Sequence, residues 1–277
     1  DSAAGAVGVR EGAPDALMVA VAPLRKAWGL DGAMAIHRIA LAFVNDHDAD
    51  SPDWGIRGFP LAGPDAGHFL DFLVWHGLTG LWLQACERSG LLAEMAPGIA
   101  GQLDNCDRAA RVFSMLQGRA VNQLGDALDA QTIPFAVLKG VAIRDEIYAL
   151  PHVRTASDID LLIRPQDRLR VGEVLTALDF SHTGDQSSAH EETWQRRSVD
   201  IDLHWDVLAP GRTRRPLVDE LLARRTRSGQ LWRLGNEDTV ALMLLHPAVT
   251  KYVCSPHVGL NRVMDFLRFI RGKSVDW

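Results

Sequence analysis

Lysine is scarce in this 277-residue chain: Lys26, Lys139, Lys251 and Lys273 stand against 25 arginines. With a formal net charge of −6, the chain lacks the broad basic surface of a general nucleic-acid binder. Cysteine is scarce too. Cys86, Cys106 and Cys254 are far apart and form no C-x-x-C pair, which excludes a disulfide framework and suits reduced thiols in a cytoplasmic protein. No apolar run approaches the roughly twenty residues of a membrane span. The longest candidate near the start, Leu17 to Ala22, is far shorter, and no signal peptide is visible. Also missing are the G-x-x-x-x-G-K-[ST], G-x-G-x-x-G and G-x-S-x-G signatures, so P-loop, Rossmann and serine-hydrolase readings have no foothold.

What remains is an ordinary globular composition, 47% hydrophobic and 23% charged, able to bury one large core or two modest ones. Residues 1–14 read as a mobile lead-in. Residues 15–131 read as a helical region, with two helical patterns between Pro14 and Val44 and a Pro/Gly-rich loop from Ser51 to Pro64 that carries Trp54. Helices are expected at about 65–77, 79–92 and 104–131. The last rests on Ala109, Val112, Phe113, Leu116, Ala120, Leu124 and Leu128, spaced by three and four. A mixed α/β core is expected over 132–208, and helices again over 209–277, at about 216–227 and 236–271. Helices, then strands, then helices imply an α+β fold.

The chemistry concentrates in two acidic-apolar alternations, Ser157-Asp158-Ile159-Asp160-Leu161-Leu162 and Val199-Asp200-Ile201-Asp202-Leu203-His204-Trp205. Alternate side chains of a strand share a face, so Asp158 and Asp160 project together. Two carboxylates so close repel unless a positive charge lies between them. Mg²⁺ or Mn²⁺, which prefer hard oxygen ligands, answer that need. If the second strand pairs beside the first, Asp202 or Asp200 supplies a third carboxylate, and His204 shares its face. The competing reading is a solvent-facing edge strand whose charges stay wet.

Upstream, Ile133 to Leu138 is a short β-type run that ends in Lys139-Gly140 before a helical pattern, Val141 to Tyr148. Strand, tight turn and helix start make a place for an anion, with glycine permitting close approach and Lys139 adding charge.

Together these segments resemble the DNA polymerase β-like nucleotidyltransferase superfamily, and within it the bacterial NTP-transferase-5 type branch. The matching residues are Val137 to Gly140, Arg154, Ser157 to Leu162 and Asp202 to Trp205, and the likeness spans about 65–275. The resemblance implies that Asp158, Asp160 and Asp202 hold the metal, with Asp202 also the base toward an acceptor hydroxyl. It implies triphosphate contacts at Lys139, Gly140 and Ser157. Arg154 would neutralise charge on the transferring group; the alternative is a surface arginine paired with Asp158 or Asp145. His204 would orient a carboxylate or touch substrate, unless it is simply hydrogen-bonded beside the sheet. His190 and Asp265 match other family positions. The Lys-Gly turn departs from the Gly-Ser or Gly-Gly of other branches.

The function so implied is Mg-dependent transfer of a nucleotidyl group from an NTP to a hydroxyl-type acceptor on a small molecule or peptide. Transfer of the γ-phosphate by a kinase on the same fold, and a non-catalytic nucleotide-binding scaffold, are the alternatives. The cluster Arg212, Arg214, Arg215, Arg224, Arg225 and Arg227 reads either as an anion receiver or as a solvated helix face.

Overall fold

A computed structural model describes residues 66–183, 190–208, 211–250 and 259–276. The lead-in, the helical patterns of 14–44, the Pro/Gly-rich loop with Trp54, and Cys254 lie outside these residues. Among the described residues three α-helices come first: α1 (Ala66–Trp75), α2 (Thr79–Ser89) and α3 (Pro97–Ala130). The sheet and its connections follow, as β1 (Phe135–Leu138), α4 (Lys139–Ile147), β2 (Ile159–Ile163), α5 (Arg168–Ala177), β3 (Ser181–His182), β4 (Glu191–Arg196) and β5 (Val199–His204). The chain then forms α6 (Val218–Ala223), β6 (Thr226–Ser228), β7 (Leu231–Arg233), α7 (Asn236–Thr250) and α8 (Leu260–Gly272). The fold is α+β, a mixed seven-stranded sheet with helices, in strand order β3-β4-β5-β2-β1-β7-β6.

Period-two alternation decides what each sheet face does. Ile159, Leu161, Ile163, Ile201 and Leu203 point to one side and form a core with Leu124 and Leu128 of α3 and Val171 and Leu175 of α5. On the other side Ala136, Leu138 and Leu162 pack with Leu221, Leu222 and Leu242, but only over part of the face. The remainder carries Asp160, Asp202 and His204. A third cluster joins α1, α2 and the start of α3 to Tyr148, Val153 and Met264 of α8.

The structure departs from the sequence expectation in four places. Lys139 opens α4 directly, with its own backbone in the left-handed region (φ 46°), so strand passes to helix without a separate turn. The expected helix at 216–227 is only Val218–Ala223, and β6 and β7 extend the sheet beyond residue 208, β7 lying parallel to β1. β4 was not expected at all. In α3 the register differs in its first half: Val112 and Leu116 are exposed, while Asp107 and Gln117 are buried. These polar residues take the inner face because each reaches the 152–156 segment. Asp107 meets His152, and Gln117 bonds Ala156. Among the described residues no helix is long and apolar enough to cross a membrane.

Candidate functional site

β2 and β5 run parallel, with Asp160 opposite Asp202 and Leu162 opposite His204. Residues in register on neighbouring strands share a face, so the two acidic alternations of the sequence become one patch. Oxygen and nitrogen atoms of Asp160, Asp202 and His204 lie within 4.8 Å of one another. Asp158, just before β2, lines the same cleft of about 460 Å³, as do Lys139, Gly140, Arg154 and Ser157. Asp200 does not join the cluster; it accepts a hydrogen bond from Gln195 Nε2 (2.8 Å) at the exposed end of the strand pair.

The carboxylates differ in electrostatics. Burial raises the pKa of Asp158, and the negative charges of Asp160 and Asp202 raise it further, against a hydrogen bond from Ser157 and the Lys139 charge. Burial also raises that of Asp202, with Asp160 and Glu191 adding to the rise and a hydrogen bond from Thr193 opposing it. Asp160 is the most buried of the three, and burial opposes its ionisation. The hydrogen bond from His204 and the Lys139 ammonium outweigh burial and hold its pKa well below the carboxylate range. Lys139 Nζ sits 2.7 Å from Asp160 Oδ1, and His204 Nε2 lies 2.9 Å from the same oxygen. Lys139 therefore engages a carboxylate of the cluster directly.

β4 supplies what the sequence reading missed. It runs antiparallel beside β5, pairing Glu191 with His204 and Thr193 with Asp202. Glu191 Oε2 lies 3.2 Å from His204 Nδ1, and Thr193 Oγ1 donates to Asp202 Oδ1 (2.8 Å). His204 thus stands between two carboxylates, one at each ring nitrogen, which fixes its ring plane. The available signal was the alternation Glu191, Thr193, Gln195 against Glu192, Trp194, masked by a composition that is poor in the usual strand formers. His190 lies beside the site, its ring centroid 6.4 Å from that of His204.

Arg154 lines the cleft, yet its guanidinium is buried and committed. Nε lies 3.0 Å and Nη2 2.5 Å from Asp265 Oδ2, while Nη1 donates to the Thr155 carbonyl (2.8 Å). Its partner is neither Asp158 nor Asp145 but Asp265 of α8. The arginine cluster takes the solvated reading where partners are seen. Arg215 pairs with Glu220, Arg224 with Asp238 and Arg227 with Asp129, and Arg225 stacks on Trp232; none of these arginines lines the cleft.

Acidic groups in register across a mixed sheet, with a lysine at a strand-to-helix junction, are accompanied by a family match. Residues 62–277 match the family described as uncharacterised nucleotidyltransferase. The chain belongs to this nucleotidyltransferase family. It is accordingly a transferase-class enzyme. Among solved structures, ANT(2″)-Ia in complex with adenylyl-2″-tobramycin is similar over 55% of this chain and 95% of its own, at 14% identity and a TM-score of 0.39. An antigenic nucleotidyltransferase-like protein from Paracoccidioides brasiliensis is similar over 55% of this chain and 74% of its own, at 20% identity and a TM-score of 0.40. No curated protein matches the nucleotidyltransferase chain.

Proposed function

We propose that the enzyme binds an NTP with Mg²⁺ or Mn²⁺ in the cleft and transfers its nucleotidyl group to a hydroxyl of a small-molecule or peptide acceptor, releasing pyrophosphate. The observation that carries this reading is the register pairing of Asp160 with Asp202, beside Asp158, in a cleft that also presents Lys139. The residues fit a divalent cation: their donors are hard oxygens, and the burial and neighbouring carboxylates that raise the pKa of Asp158 and Asp202 impose a cost that a bound cation would relieve. Asp158, Asp160 and Asp202 would hold the ion. Bound there, it would offset charge on the phosphates and favour ionisation of the attacking hydroxyl.

The chain's own groups do the remainder. Asp202, half-buried and with a raised pKa, accepts the proton of the acceptor hydroxyl, which suits a general base. Thr193 fixes one oxygen of Asp202, and His204 fixes one of Asp160. Lys139, Gly140 and Ser157 face the phosphates. Gly140 lets the segment before Ser157 pack close to the Lys139–Gly140 junction, because a Cβ there would meet the Ala156 Cβ at 3.1 Å. One wall of the cleft is apolar and includes Leu242 and Phe269.

The test is the fate of label. Protein is incubated with α- or γ-labelled NTP, Mg²⁺ and a panel of sugars, aminoglycosides and hydroxyl-bearing peptides. Label passing from the α-phosphate into product supports nucleotidyl transfer. Label passing only from the γ-phosphate would make the enzyme a kinase, and neither label moving would favour the binding-scaffold alternative.

A further inference from the structure

The segment Thr155 to Asp158 carries two of the residues assigned to metal and phosphate, yet it is an irregular connection between a single 3₁₀ turn, Pro151–Val153, and β2. Such a stretch has no ladder of its own to fix it. Two buried side chains hold its carbonyls. Gln117 of α3, fully buried, donates from Nε2 to the Ala156 carbonyl (3.0 Å) and accepts from Arg144 Nη1 at Oε1 (2.6 Å). Arg154, anchored by Asp265, holds the Thr155 carbonyl.

Resting on the nucleotidyl-transfer reading, we infer that Asp265 and Arg154 are positioning residues: α8 sets the geometry of the Ser157–Asp158 segment, and of the Lys139–Gly140 junction beside it, through this ion pair. Arg154 reaches α8, Thr155 at the start of this segment, and Gly140. Its Nε and Nη2 engage Asp265 and its Nη1 bonds the Thr155 carbonyl. That same Nη1 neighbours Gly140: a Cβ at 140 would lie 3.4 Å from it, in van der Waals contact.

The pair is built as a fixed joint. Asp265 is 1% exposed, and its Oδ1 also accepts from the Tyr148 hydroxyl (2.9 Å), at the end of α4. Arg268, one turn along α8, lies over the Tyr148 ring at 4.8 Å. Burial alone would disfavour the Arg154 charge; the Asp265 carboxylate outweighs it and raises the arginine's pKa. A planar guanidinium in a two-point grip fixes direction as well as distance, which an ammonium does not. Buried ion pairs of this kind contribute little net stability against an apolar replacement. A joint that is weak as a stabiliser but exact in direction, set directly behind two site segments, is suited to orientation.

The test uses the double variant Arg154→Met/Asp265→Leu, which removes both charges and leaves neither stranded. Circular dichroism and melting report its fold. Calorimetry then measures its affinity for whichever of ATP, CTP, GTP or UTP the wild type binds with Mg²⁺, and amide exchange is followed over 155–158. The expected result is a folded protein that binds Mg·NTP at least about tenfold more weakly, with exchange accelerated in that segment. Wild-type affinity in the folded double variant overturns the inference and leaves the function reading intact. If the double variant does not fold, Arg154→Lys, which keeps the charge without the fork, decides: a comparable loss supports the inference and no loss overturns it. A wild type that binds no NTP removes the function reading and this inference with it.

Discussion

Asp160 and Asp202 are direct register partners across the parallel β2–β5 pair, although they lie 42 positions apart in a chain that returns through β3 and β4. Parallel neighbours place both carboxylates on one face at one height. Each is secured by a different neighbour, Asp160 by Lys139 and His204 and Asp202 by Thr193. The site is therefore assembled by sheet order rather than by any one loop.

The first prediction follows from the cost of crowding carboxylates. The pKa of Asp158 is raised in the fold, by burial and by its acidic neighbours. Its ionised form therefore destabilises the protein: the benefit of the neutral form is full below the ordinary aspartate range and is lost as pH rises through the raised value. At neutral pH, without divalent metal, Asp158→Asn should melt higher than wild type by about 2–4 °C. A lower melting temperature would show that the charge is satisfied without a cation.

Asp202 should behave differently. Its replacement by Asn keeps the shape and an acceptor for Thr193 but removes the base, so turnover measured as pyrophosphate release should fall by about 10²- to 10⁴-fold, with the fold unchanged by circular dichroism. Turnover within a factor of a few of wild type would move the base elsewhere.

His76 supplies a pH test outside the cleft's acidic cluster. It lies between α1 and α2, where its Nδ1 accepts the Leu260 backbone N–H (3.3 Å). Burial lowers its pKa to about 4. The fold thus favours the neutral ring, so this contribution to stability is complete above the ordinary histidine value and is lost as pH falls from about 6.5 toward 4. NMR titration should find the His76 ring still neutral at pH 5.5. A midpoint near 6.5 would contradict the burial argument.

Gly80, in α2, packs against the segment that leads into Arg154. A Cβ at this position would lie 2.7 Å from Val153 Cα and 2.8 Å from the Val153 carbonyl oxygen, and backbone cannot rotate away. Gly80→Ala should therefore destabilise by about 1–3 kcal/mol, despite alanine's better helix propensity. Denaturant midpoints check this, and an unchanged or raised midpoint would mean that α2 shifts freely.

What could be read from the sequence was what repeats locally. The alternation in β2 and β5 exposes its period in five or six residues, so the sequence puts Asp158 with Asp160 and Asp202 with His204 on shared faces, and the structure brings all four into one cleft with Lys139, which follows the apolar run at β1. The helix at 104–131 was legible in its second half, where Leu124 and Leu128 are buried as spaced. Its first half misled because the inner face there is polar, occupied by Asp107 and Gln117. β4 was hidden by glutamates whose partners, His204 and Arg168, are distant in sequence. β6 and β7 are three residues each, too short for any period to show. The role of Arg154 depends on Asp265, 111 positions away, and no local pattern encodes such a pairing.

The most direct measurement is calorimetric titration of each of the four NTPs, with and without Mg²⁺, into wild-type protein and Asp158→Asn/Asp160→Asn. The account predicts magnesium-dependent binding of at least one NTP by the wild type and its loss in the folded double variant. Equal magnesium-dependent binding by both proteins would contradict the assignment of these carboxylates.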